Sequence, residues 1–76
     1  MGTALYVVIY SRESWWLDFE GTAHGPFDTD QAAIEEGINQ AKYSAHAGRA
    51  SEVLSPDAHG RHRVVWASAN ERYATR

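Results

Sequence analysis

The sequence predicts an α+β domain, a ββαββ arrangement with one amphipathic helix packed on one face of an antiparallel sheet. Three observations point there. An uninterrupted β-branched and aromatic run lies near the start, Ala4-Leu5-Tyr6-Val7-Val8-Ile9-Tyr10. A capped stretch of helical periodicity fills the middle, and turn chemistry separates two further short apolar runs after it.

Residues 4–10 form the first strand. Arg12-Glu13-Ser14 is a polar break, and Trp15–Glu20 forms the second strand, so the short connection makes a hairpin. Gly21–Pro26, with two Gly and one Pro, reads as a loop. Asp28 is a good N-cap with Gln31 completing a capping box, and Thr29 is the second choice. The helix spans about residues 29–46, with Ile34, Ile38, Ala41 and Ala45 on one stripe. Lys42 and His46 sit late, where the helix dipole favours cations, and Gly48 is a natural terminator. Gly37 lies beside the stripe, where a missing side chain lets the helix approach the sheet. Glu52–Ser55 and Arg63–Ser68 are the last two strands, joined by Pro56-Asp57-Ala58-His59-Gly60. The reading gives one domain over residues 1–76, ordered from about 4 to 68, with a frayed tail at 69–76.

Both faces of the first strand are apolar, whereas a strand covered on one side alternates with polar residues. In the second strand Trp15, Leu17 and Phe19 point one way and Trp16, Asp18 and Glu20 the other. A three-residue loop at 12–14 sets Leu5, Val7 and Ile9 beside Leu17 and Phe19 under the helix. Tyr6, Val8, Tyr10 and Trp16 then form an aromatic surface on the opposite face. A two-residue loop exchanges the faces. The first register is preferred because it buries aliphatic residues and leaves amphipathic ones outside. One helix cannot cover both faces, so the second awaits another molecule or the chain's own tail, for which Trp66 and Tyr73 are candidates. An exposed aromatic patch marks an interaction surface, and a homodimer is the favoured occupant over another protein partner.

A chain of 76 residues without Cys has neither a disulfide nor a thiolate-ligated metal to staple it. Nine aromatic residues are one remedy and a second copy is another. The net charge is −3, against the basic balance of a general nucleic-acid binder. Residues 1–40 carry one basic and seven acidic side chains; residues 41–76 carry six basic and three acidic. Attraction between the two halves, within the fold or across a dimer, accounts for that asymmetry. No run has the length of a membrane span and the first residues lack a signal peptide's pattern, which sets the cytoplasm as the expected compartment.

No motif carries chemistry. His24, His46, His59 and His62 lack metal-ligand spacing, Ser and His occur without a nucleophile elbow, and no Gly-rich phosphate loop is present. Asp28/Asp30 and Glu35/Glu36 suit a helix start better than acid–base work. His59-Gly60-Arg61-His62-Arg63 is the one basic cluster and reads as a solvated turn. A non-enzymatic interaction module without cofactor or metal is expected. A nucleic-acid-associated regulator is the alternative.

Several short motifs fall in a familiar order: Tyr6-Val7-Val8, Trp15 with Leu17, Phe27-Asp28-Thr29, Ala33-Ile34-Glu35, and His59-Gly60-Arg61 near the last turn. Over about residues 5–68 the chain resembles a small bacterial family, domain of unknown function 2188. That resemblance implies a ββαββ domain and carries no functional residues over. The chain departs from it in a longer first loop and in Trp16 following Trp15. The first half is also similar to HicB-type antitoxins, in its two strands followed by an Asp-Thr helix start with Ala-Ile, which implies a toxin partner, sometimes DNA binding, and an antitoxin-like regulator. That family's proline-glycine segment is matched only by the reversed Gly25-Pro26.

Overall fold

The computed structural model describes residues 2–70. Five strands and one helix follow in the order β1 (Ala4–Ser11), β2 (Ser14–Phe19), β3 (Thr22–Phe27), α1 (Asp30–His46), β4 (Ser51–Pro56) and β5 (His62–Ala67). The sheet order is β3-β2-β1-β4-β5. The class is α+β as expected, but two details are corrected. There are five strands rather than four, and β1 pairs with β4 in parallel, so the sheet is mixed rather than antiparallel.

The additional strand is β3, in the stretch read as a loop. Its Gly and Pro are breakers in a central strand but tolerated at an edge, beside a bulge where the β2 partner shifts between Trp15 and Leu17. Gly25 is required there. Its φ is +139°, and a Cβ would lie 3.1 Å from the Trp15 carbonyl oxygen and 3.2 Å from the Trp16 ring. Two tight turns tie β1, β2 and β3 into a meander. Arg12 and Glu13 connect Ser11 to Ser14 with φ of 54° and 61°, the sign pattern of a type I′ turn. Glu20 and Gly21 connect Phe19 to Thr22 in the same way, with φ of 51° and 85°.

Helix α1 is capped by Thr29, whose Oγ1 accepts from the Ala32 N–H at 3.1 Å, not by Asp28. Its other end closes in a Schellman motif: the Gly48 N–H donates to Ala45 and the Arg49 N–H to Ser44, with Gly48 at φ 98°. The side facing the sheet is centred on Ala33, Gly37 and Ala41, all buried, and Ile34 and Ile38 pack at its flanks. The small centre follows from distance. A Cβ on Gly37 would stand 3.0 Å from Leu17 Cδ1 and 3.2 Å from Val53 Cγ1, both on fully buried side chains.

Beneath the helix lie Ala4, Tyr6 and Val8 of β1, Leu17 of β2 and Val53 of β4, with Trp15, Phe19, Phe27 and Trp66 at the margin. Tyr6 stacks on Phe19 at 4.3 Å between ring centroids, and its hydroxyl hydrogen-bonds Ser44 Oγ at 2.6 Å. Ser51, also buried, donates from its hydroxyl to the Ala41 carbonyl at 2.6 Å, while its N–H donates to Ser68 Oγ at 3.1 Å. Polar groups in this core are therefore satisfied, and they tie α1 to β1 and β4. Residues 68–70 are helical, and the rest of the stretch read as a tail, 71–76, lies outside the described residues.

Two measurements test this packing. Gly37→Val should destabilise by about 2 kcal/mol or more, because its extra carbons meet Leu17 and Val53 with no room to yield; chemical denaturation that leaves stability unchanged would refute the close approach. Replacing Arg12-Glu13 with Asn-Gly should stabilise by about 1 kcal/mol, since those residues adopt positive φ at little cost. A falling denaturation midpoint would refute the two-residue turn.

Candidate functional site

The one-residue difference in the first turn decides which face of β1 meets the helix. With two turn residues instead of three, Tyr6 pairs with Phe19, Val8 with Leu17 and Tyr10 with Trp15. The expected aromatic surface is thus corrected. Tyr6 and Val8 are buried at 3% and 0% exposure under the helix. Tyr10 is on the helix side too, but at the sheet's rim, exposed and 4.9 Å from the Trp15 ring. Of the four residues, Trp16 alone lies on the opposite face, where its indole N–H donates to the Ser11 carbonyl at 2.9 Å. The tyrosine ring can be buried because its hydroxyl shares a hydrogen bond with the Ser44 hydroxyl.

The opposite face carries the aliphatic set assigned to the core. Leu5, Val7 and Ile9 come from β1; Leu54, beside Val7, from β4; Val64, beside Leu54, from β5; and Trp16, beside Ile9, from β2. Val65 is the bulged residue opposite the Val53–Leu54 step. Leu5, Val64 and Val65 are 46%, 48% and 44% exposed. No described element lies over this face, since α1 packs on the other. Trp66, a candidate to cover it, points to the helix side as the partner of Val53; Tyr73 is outside the described residues.

Among the described strand residues three ionisable groups share the face. Asp18 lies beside Val7, Glu52 beside Leu5 and His62 opposite Pro56. His62 has a structural duty: β4 offers no N–H at Pro56, and the His62 Nε2–H donates to the Val8 carbonyl at 2.9 Å instead. The preceding turn is organised by Asp57, whose Oδ1 accepts from the His59 N–H at 2.8 Å and the Arg61 N–H at 3.0 Å. These bonds hold the Asp57 carboxyl below its usual range. At the opposite end of the sheet Arg49 bonds Glu20 at 3.0 Å and the Gly2 carbonyl at 3.3 Å.

Among the described residues no three His, Asp or Glu converge as metal ligands, and no helix is long and apolar enough to cross a membrane. His24 lies on β3, His46 ends α1, and His59 and His62 flank the last turn. The feature that stands out is the open aliphatic face, which aromatic composition did not signal. The signal was the lack of alternation in β1. No family model, curated protein or solved structure matches this chain.

The Asp57 turn yields a further expectation. Its carboxyl should titrate below the ordinary aspartate range by NMR, and stability gained from that lowering should be present above the unfolded pKa and lost as pH falls through the folded one. A normal titration would show that the two backbone bonds do not persist in solution.

Proposed function

We propose that this chain is a non-enzymatic interaction module that associates, with itself or with a protein partner, through the uncovered face of its sheet. The observation supporting it is the contiguous surface formed by Leu5, Val7, Ile9, Trp16, Leu54 and Val64 on the side opposite the helix. Leaving such a surface in water forgoes about 25 cal/mol for each Å² that burial would remove. A domain this small has little stability in reserve, and contiguous apolar patches of this kind mark contact surfaces. Acidic groups at Asp18 and Glu52 punctuate the patch and disfavour indiscriminate apolar contacts.

The test uses the most exposed members, whose replacement spares the core. Leu5→Glu and Val64→Glu should remain folded by circular dichroism. Dilute wild-type protein should enhance the fluorescence of an apolar dye, and each variant should lose most of that signal. Tyr43→Ser, on the exposed side of α1, should retain it. If the wild type fails to bind dye, or the two face variants bind it equally well, the face is not an accessible apolar surface and the proposal fails.

A further inference from the structure

We infer that the occupant of the open face is a second copy of this chain, packed sheet against sheet with the strands of the two copies running in opposite directions. This inference rests on the interaction-surface reading and adds the partner's identity and orientation.

The first argument is charge placement along the strands. Residue pairings align Leu5, Glu52 and Ala67 in one row and Asp18, Val7, Leu54 and Val64 in the next; two residues further along each strand come the pairs Trp16 with Ile9 and Pro56 with His62, the third row. Acid lies towards one end, at Glu52, with Glu20 beyond it in the β2–β3 turn. The other end carries His62 and, in the β4–β5 turn, Arg61 beside Asp57, whose carboxylate is occupied by that turn's own N–H groups, while Arg12 and Glu13 of the β1–β2 turn offset each other. Among the described residues Glu52 has no ion pair, whereas Glu20 already has Arg49.

A two-fold interface must complement itself. An axis lying in the plane of contact and crossing the strands exchanges the first row with the third. It brings Leu5 over the partner's Ile9 and Glu52 over the partner's Pro56, one strand from the partner's His62 and within side-chain reach of the partner's Arg61, with Val7, Leu54 and Val64 along the axis. An axis along the strands instead returns Glu52 to its own acidic row. Packed sheets cross about 30° from alignment, and turning the pair obliquely separates Asp18 from the partner's Asp18.

The second argument is area. Five strands spaced about 4.8 Å apart and six residues long span a flat footprint of about 480 Å², and side-chain relief enlarges it. That approaches the ~800 Å² of accessible surface per partner in a standard interface.

Sedimentation equilibrium of the full chain is the test. The mass should rise from 8.5 kDa towards twice that value with concentration. Leu5→Glu and Val64→Glu should weaken association about 100-fold. Glu52→Arg and Arg61→Glu should each weaken it about tenfold, and combining the two should restore it to within about threefold. The Arg61 side chain can be changed safely because that residue holds the turn through its backbone, by its N–H to Asp57 and its carbonyl to the Asp57 N–H. A dimer that survives both face variants, or a charge swap that restores nothing, overturns this arrangement. A wild type that stays monomeric to about 1 mM yet binds dye overturns the second copy while leaving the interaction surface standing, with a different protein as its occupant. A dye-silent monomer overturns both.

Discussion

Everything in this domain follows from the width of one helix against the width of the sheet. A helix is about 10 Å across, and a five-stranded sheet about 24 Å. Helix α1 lies chiefly over β4, β1 and β2. It settles there because Ala33, Gly37 and Ala41 present almost no side chain, so the large groups of the core are supplied by the strands: Tyr6, Leu17, Val53 and the aromatic margin. One side of the sheet is thereby closed with great economy of helix. The other side receives nothing from the same element.

The fold class, the helix limits and the outlines of β1, β2, β4 and β5 were legible because each rests on periodicity or on turn residues with ordinary chemistry. The close approach at Gly37 was legible for the same reason. The direction in which β1 faces was not. Its two faces are nearly equal in hydrophobicity, so the decision passed to the length of the first turn, and that turn places Arg and Glu at positive φ where Asn and Gly would have announced it. Chemical preference also misled: burying Tyr6 looks costly until the distant Ser44 hydroxyl is known to meet it. β3 escaped notice because Gly25 and Pro26 deny a strand only when it has neighbours on both sides.

The candidate surface shows the same division. That β1 has one side too many was readable from its failure to alternate, and this needed no register. Which residues occupy that side required the register, and Trp16 is the single member common to the expected aromatic patch and the observed aliphatic one. Leu54 and Val64 could be added only with the β1–β4 pairing in hand, a contact between segments 47 residues apart at Leu54 and Val7.

That parallel pairing also bears on how the chain comes into being. β1 is the central strand, and both of its neighbours are synthesised after it. β2 can join it at once across the tight turn, but its other neighbour begins at Ser51 and arrives only after β2, β3 and α1 have been made. Until then one backbone edge of β1 stands open, with Val7 and Val8 beside it, and it is a nascent-chain hazard of the kind that chaperones attend.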